Sequence, residues 1–415
     1  MTQGSSRREF LHTAGGTMAA IALWPGAELA RAALRVTEPF TVGLIGVGKQ
    51  GRAILSELQK IEHVNIKAVC DVDESRLRGG LRRVQGAEGF ADYREMLDTV
   101  SDLKAVFVAT PTHMHREPAV HALRSGKHVY CEAPLASTIK DCREIAMAAR
   151  DAGTSVFQTG MLGRTDPVYT LANTFVRAGD IRDIIGMRAQ WHKKTSWRIQ
   201  GPDAASEKAR NWRLDPAVSI GLAGEVGTQQ FDVIHWFARQ YPVSVRGSGG
   251  VMLHKDGREI PDTIVCDFTF ADGTSFHYDA SLANSYEGEY EQLYGTNGTV
   301  KLAWRHGWLF KEADAPTMGW EVYANRQQFH NEEGITLIAD ATQLAAQGRL
   351  KDGVGLQQPP LFYGIEEFLR SAINGSPVQC SASEGLRAAV VGILANQAVM
   401  TNSEVAIDPE LFKEG

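Results

Sequence analysis

The six residues Gly46-Val-Gly-Lys-Gln-Gly51 constrain this chain more than any other stretch. They follow Phe40-Thr-Val-Gly-Leu-Ile45, a β-branched and apolar run of strand type, and they open a helical pattern through Ile54, Leu55 and Leu58. Between a strand and a helix each glycine has a physical task. Gly46 makes the tight turn, Gly48 lets backbone approach a pyrophosphate, and Gly51 allows the helix to pack closely; the helix N-terminus, with Lys49 and Gln50 in its first turn, faces the anion. Glycines alone fit an ordinary turn. Here a second strand, Val64-Asn-Ile-Lys-Ala-Val-Cys70, ends at Asp71, twenty residues past Gly51. A carboxylate at that point accepts hydrogen bonds from ribose hydroxyls and repels a 2′-phosphate, which favours NAD over NADP as cofactor.

The alternation continues through a strand at Ala105–Ala109, a helix at His115–Arg124, a strand at His128–Cys131, a helix at Ile139–Ala152 and a strand opening at Val156-Phe157. Repeated βαβ units predict an α/β Rossmann domain, a doubly wound parallel sheet over residues 38–160. Beyond it the texture changes. Arg182–Lys194 and Val243–Lys311 carry runs such as Thr263–Phe270, Gly273–Tyr278 and Thr299–Ala303, separated by the turn signals Ala271-Asp-Gly273 and Asn297-Gly298. These predict an α+β second domain over 161–380 with a large, open, mostly antiparallel sheet. A helix from about Glu225 to Arg239 precedes the meander, helices near Phe362–Asn374 and Ser383–Met400 follow it, and 381–415 form a C-terminal helix and tail.

The formal charge of -6 argues against nucleic acid and polybasic membrane contacts, so a small molecule is the expected partner. Five cysteines, Cys70, Cys131, Cys142, Cys266 and Cys380, contain no C-x-x-C and are odd in number, so neither a disulfide framework nor a zinc site is expected. His113-x-His115 lacks a third ligand nearby, and no metal is expected there. At the N-terminus, Ser5-Ser-Arg-Arg-Glu-Phe-Leu11 precedes an apolar run, Thr13–Leu23, too short and glycine-containing for a stable membrane anchor. Residues 1–32 read as a twin-arginine export signal with Ala30-Arg31-Ala32 as a cleavage site, which makes the twin-arginine translocase a partner and the periplasm or exterior the destination.

The glycine turn, Asp71, Ala109-Thr-Pro-Thr-His-Met-His115, Gly126-Lys-His-Val-Tyr-Cys-Glu-Ala-Pro-Leu135 and the open sheet, in that order, resemble the Gfo/Idh/MocA family of sugar and cyclitol oxidoreductases. The resemblance runs over about residues 40–400. It implies that Gly46, Gly48, Lys49, Gln50, Gly51, Asp71, Thr110, Thr112, His115, Glu132 and Ala133 line the dinucleotide. It also implies a carbohydrate substrate between the domains and a homo-oligomer formed on the second sheet.

The departures from the family pattern carry the functional question. The family's E-K-P motif, whose lysine helps to take a hydroxyl proton as hydride leaves, reads Glu132-Ala133-Pro134 here. An aspartate and a histidine four residues apart become Glu225 and Gln229. The asparagine of the N-R-R-x-x-P segment becomes Leu162, while Arg164 and Pro167 are retained. An alcohol does not release hydride readily unless its proton is removed in step. Replacement bases are therefore sought at the strand end Gln190–Arg198, namely Lys193 and His192, with Lys194 beside them and Glu225 as the next candidate. Trp191 and Trp197 offer faces for a sugar ring, and Arg164, Arg213, Gln229 and Asn211 offer hydrogen bonds. Tyr286 and Tyr290 could also donate, although aromatic residues at alternate strand positions usually pack. A solvated basic strand end with structural tryptophans accounts equally well for residues 190–198.

An exported enzyme of this kind has no maintained pool of free NAD, so a tightly bound cofactor regenerated within each turnover is expected. The family offers sugar-to-sugar hydride exchange and NAD-dependent glycoside cleavage as such redox-neutral reactions. The alternative from another class is a sugar- or NAD(H)-binding protein without catalysis.

Overall fold

In the computed structural model the described residues are 38–303, 305–319, 321, 324–329, 332–339 and 356–414. The export signal lies outside them. The first sheet contains β1 (Phe40–Ile45), β2 (Val64–Cys70), β3 (Glu88–Phe90), β4 (Ala105–Val108), β5 (His128–Glu132) and β6 (Phe157–Gly160). All neighbours are parallel and the order is β3-β2-β1-β4-β5-β6. This is the doubly wound arrangement, with its switch between β1 and β4 at the carboxyl ends of the strands. The three-residue β3 has no run long enough to be read as a strand, and it forms only because it can pair with the end of β2. Around the sheet pack α1 (Lys49–Leu58), α2 (Glu74–Leu81), α3 (Tyr93–Thr99), α4 (Arg116–Arg124) and α5 (Ile139–Asp151).

The second sheet is built after α6 (Pro167–Ala178). Its strands are β7 (Ile184–His192), β8 (Pro242–Gly250), β9 (Thr263–Phe270), β10 (Ser275–Ser281), β11 (Glu289–Gly295), β12 (Gly298–Ala303), β13 (His306–Lys311), β14 (Arg326–Phe329), β15 (Glu332–Thr336) and β16 (Glu404–Ala406). Their order is β14-β15-β13-β12-β11-β7-β10-β9-β8-β16, antiparallel except for the β7–β10 pair. One face is apolar: Met187, Ala189, Phe268, Phe276, Tyr278 and Leu293 are buried beneath helices. The other face carries Arg188, His277, Asp279 and Lys301, so the strands alternate with period two.

Between β7 and β8 lie α7 (Ala204–Arg210), α8 (Gly221–Glu225) and α9 (Gly227–Ala238). The sequence predicts one helix from Glu225, but the backbone breaks at Val226, where φ is -123° and ψ is -36°. Glu225 thus closes a short helix instead of opening a long one. The last helices are α10 (Pro360–Asn374) and α11 (Ala382–Thr401). Although α10 follows the second sheet in sequence, Leu361, Ile365, Phe368 and Leu369 pack on the Rossmann layer beside Phe107 and Tyr130. Helix α11 backs the site directly. A Cβ at Gly392 would stand 2.3 Å from Thr228 Oγ1 and 3.2 Å from Gly224 Cα, so only glycine lets α11 approach the α8–α9 break this closely.

Candidate active-site cleft

A cleft of about 1380 Å³ runs from the glycine turn, past the ends of β4 and β5, to the apolar-side ends of β7 and β11. At its first end the backbone makes the binding surface. Gly46 has φ +95°, and a Cβ there would lie 2.5 Å from Ala109 O; one at Gly51 would lie 1.9 Å from Gly46 O. A Cβ at Gly48 would meet nothing within 4 Å, and this residue is the N-cap of α1, with no side chain to cap the helix. The turn therefore leaves its first N–H groups open to an anion in the cleft. Asp71 is oriented by Val47 N–H, 2.7 Å from Oδ2, and Asp73 N–H, 2.8 Å from Oδ1. Thr110 Oγ1 is buried at the cleft with no partner among the described residues, which suits a polar ligand. These features fit a dinucleotide.

Two further groups fix the middle of the cleft. Gln50 Nε2 donates to Glu132 Oε1 at 3.1 Å, and desolvation pushes the Glu132 carboxyl up to about 7 against the hydrogen bonds of Gln50 and Ala133. His115 sits between Thr110 O, 2.9 Å from Nε2, and Pro134 O, 3.0 Å from Nδ1. Burial pulls its pKa to about 4 against the effect of these carbonyls, and the ring bridges the loops after β4 and β5. The Ala133 methyl packs against Met161, Cys380 and Ala388. No basic group replaces the lysine at this position.

At the far end stands Glu225. Thr112 Oγ1 donates to its Oε2 at 2.9 Å, and Arg213 Nε lies 3.6 Å from the same oxygen. Its Oε1 is buried without a hydrogen-bond partner among the described residues. Desolvation raises this carboxyl above the ordinary glutamate range, opposed by Arg213, Thr112 and the backbone of Ile220. Arg213 is itself held between the rings of Trp212, at 4.5 Å, and Trp197, at 5.6 Å. Trp191 and Trp212 line the cleft.

Several expected site residues are placed elsewhere. His192 alternates with Trp191 and so points to the opposite face of the sheet, where its Nε2 is 2.6 Å from Asp279 Oδ2. Lys193 is exposed beyond the strand end and outside the cleft lining. Desolvation raises the nearby Glu289 carboxyl, and the charge of Lys193 opposes that rise. Arg164 is engaged by both oxygens of Asp232 at 2.8 Å. Gln229 lines the cleft, but its amide clamps backbone, donating to Gly160 O at 2.7 Å and accepting Leu162 N–H at 3.0 Å. Trp197 supports Arg213 from outside the lining. Asn211 binds Ile199 N–H and the Ile199 and Glu207 carbonyls, so it shapes a loop and does not line the cleft. Tyr286 is 76% exposed, and Tyr290 packs with Ala303 and Trp308 on the outer face.

The period of β11 exposes what sequence reading missed. With Tyr290 outward, Glu289 and Glu291 face the cleft. Tyr169 OH donates to Glu291 Oε2 at 2.6 Å, Gln230 Nε2 donates to Oε1 at 2.9 Å, and desolvation pushes Glu291 up to about 8. The signal was the alternation within Ser285–Glu291, read for its tyrosines and not for Glu289 and Glu291 on either side of Tyr290. All five cysteines are buried and unpaired. Among the described residues no acid, histidine and cysteine cluster could hold a metal, and no helix is long and apolar enough to cross a membrane.

A glycine-turn Rossmann sheet facing a second sheet across one cleft defines a two-domain, NAD-binding oxidoreductase. Residues 40–159 match the family model described as the oxidoreductase family with an NAD-binding Rossmann fold, and 169–301 match the GFO/IDH/MocA C-terminal domain. The chain belongs to the Gfo/Idh/MocA family. Among curated relatives, it is 26% identical over 268 residues to an uncharacterized oxidoreductase, YrbE, of Bacillus subtilis, covering 64% of this chain and 74% of that one. It is 25% identical over 269 residues to inositol 2-dehydrogenase of Rubrobacter xylanophilus, covering 64% and 72%. A crystal structure of an oxidoreductase domain protein from Kribbella flavida superposes with a TM-score of 0.72 at 20% identity, over 89% of this chain and 100% of that one. A levoglucosan dehydrogenase in complex with NADH superposes at 0.70, also 20% identical, over 89% and 99%.

Proposed function

We propose that this protein is an exported enzyme that acts on a sugar or glycoside with a retained NAD, in a redox-neutral turnover, and that Glu225 is its proton acceptor. The observation that carries the reading is the unpartnered Glu225 Oε1 at the far end of a cleft whose near end fits a dinucleotide. A buried acceptor without a donor costs about 1–3 kcal/mol, and a substrate hydroxyl removes that cost. Thr112 and Arg213 hold Oε2 and fix the carboxylate, and Oε1 is left without a donor among the described residues. The raised pKa moves Glu225 toward the range in which a general base works at neutral pH. Trp191 and Trp212 give the ring apolar faces. Gly46–Gly51, Asp71, Thr110, Thr112 and Glu132 would hold NAD, with His115 fixing the loops that carry Thr110 and Pro134; NAD when bound accepts two electrons and a hydrogen from the substrate and can return them.

A sugar-like substrate is supported by the inositol and levoglucosan dehydrogenases among the similar proteins. Export is supported by Arg7-Arg8 and the apolar run behind them, and it favours net glycoside cleavage or sugar-to-sugar exchange over simple oxidation. Incubation with a glycoside panel, following NADH absorbance and released sugar together, tests the reading. Product with a transient, substoichiometric NADH signal is expected. Binding without turnover on any sugar points instead to a non-catalytic binding protein, which the packed methyl of Ala133 and the clamped Gln229 amide would suit. Replacing Arg7 and Arg8 by lysine should keep the folded protein in the cytoplasm, as cell fractionation would show.

A further inference from the structure

The segment between β7 and α8 leaves the second sheet and returns across the cofactor end of the cleft. Ile199, Pro202, Ala205, Ser206, Ala209 and Arg210 line the same cavity as Asp71, Asp73 and the glycine turn. One contact joins the two sides: Arg210 Nη2 and Nε donate to Asp73 Oδ2 at 2.7 and 3.1 Å, with both side chains about four-fifths buried. The segment is stiffened from within by Asn211, which binds both backbone groups of Ile199, and by Arg198, whose Nε is 2.7 Å from Asp256 Oδ2. Val72, 81% exposed, and Ile199, 48% exposed, offer the cleft apolar surface from opposite domains. Large apolar side chains left open inside a cavity are what a flat base would cover.

We propose that residues 199–210 form the second wall of the dinucleotide site, over its adenosine end, and that the Arg210–Asp73 pair is the latch that slows cofactor release. The proposal rests on the reading that this cleft holds NAD. A ligand enclosed on both sides leaves only when the wall moves, and moving it breaks a charge-assisted hydrogen-bond pair shielded from solvent. A cofactor recycled in place needs slow release of this kind.

The test is the rate at which preloaded NADH leaves the full-length protein when chased with excess NAD, followed by NADH fluorescence. Arg210→Ala should speed release by about tenfold or more, the equivalent of one latch interaction. Arg210→Lys should fall between, because it keeps charge without the fork. Asp73→Asn, which retains the helix-capping oxygen, should match Arg210→Ala, and the double variant should be no faster than either single. If Arg210→Ala does not fold, Asp73→Asn carries the same expectation, and Ile199→Ser, at an exposed position of the wall, should also speed release. Release within twofold of the unmodified rate in Asp73→Asn and the Arg210 variants overturns the proposal. No sugar enters this assay: fast release with no turnover on any glycoside upholds the wall and sinks the enzymatic reading, while unchanged release with turnover does the reverse.

Discussion

The two ends of the cleft obey different rules. At the cofactor end the chemistry is made by backbone: a left-handed Gly46, an uncapped helix start at Gly48 and a carboxylate fixed by two N–H groups. At the far end it is made by side chains from separated segments, Thr112, Arg213, Glu225 and the Tyr169–Glu291 pair. Backbone geometry tolerates few residues, so the first end keeps its pattern. A proton can be carried by any group of suitable pKa at the right place, so the second end can exchange one acid–base set for another. The replacement of a family lysine by Ala133 is therefore compatible with catalysis when carboxylates stand nearby.

The comparison breaks most sharply at Glu225. Glu225→Gln should slow single-turnover reduction of NAD by about 10² to 10⁴, the usual contribution of a positioned base, with dinucleotide affinity unchanged. A loss of affinity instead would move Glu225 to the cofactor end. Next in size is a pH effect on stability. Folded Glu291 keeps its proton up to about pH 8, whereas an unfolded glutamate loses it near the ordinary value, and Glu132, pushed to about 7, behaves alike. The folded state binds more protons across that window, so stability falls as pH rises through it, by up to about 1.4 kcal/mol per pH unit for each extra proton held. Urea midpoints across this range should show the decline, and Glu291→Gln should flatten it; an unchanged slope would remove Glu291 from the account.

Asp71→Ser sharpens the other end. It should reduce the preference for NAD over NADP by about tenfold in a direct binding titration, since one like charge near a 2′-phosphate is removed. Equal affinity of the unmodified protein for both dinucleotides would contradict the assignment. The smallest effects are expected where sequence reasoning looked first. His192→Phe and Lys193→Met should change the single-turnover rate by less than about threefold, because the first side chain faces Asp279 on the far side of the sheet and the second lies outside the cleft lining. A drop of about 10² in either would return the proton-transfer role to that strand end.

What could be read from the chain follows this division. The glycine spacing, Asp71 and the alternation of strands and helices are local patterns, and a backbone turn that needs particular residues writes itself into sequence. Residue choice at Ala133 likewise showed that the usual lysine was missing. The outcome at Gln190–Arg198 depended on the parity of β7, which sends Trp191 inward and His192 outward, and parity is fixed by pairing with β10 and β11. In Ser285–Glu291 the same parity buried the tyrosine and presented the glutamates. Arg164, Gln229 and Asn211 looked like substrate groups because their polar ends were visible and their partners, Asp232, the Gly160 and Leu162 backbone, and Ile199, were not.

By itself the sequence determined a Rossmann half, an antiparallel half, an NAD-type acid and the absence of the expected base. Only the tertiary structure decided that Glu225 is buried with one oxygen unpartnered among the described residues, that Glu291 meets Tyr169, and that Ile199 and Arg210 line the same cleft as Asp71. The physical reason is range. Turn geometry and strand type are set by residues a few positions apart, whereas a carboxyl's protonation and a side chain's partner are set by desolvation and contacts among segments up to 122 residues apart, as in the Tyr169–Glu291 bond.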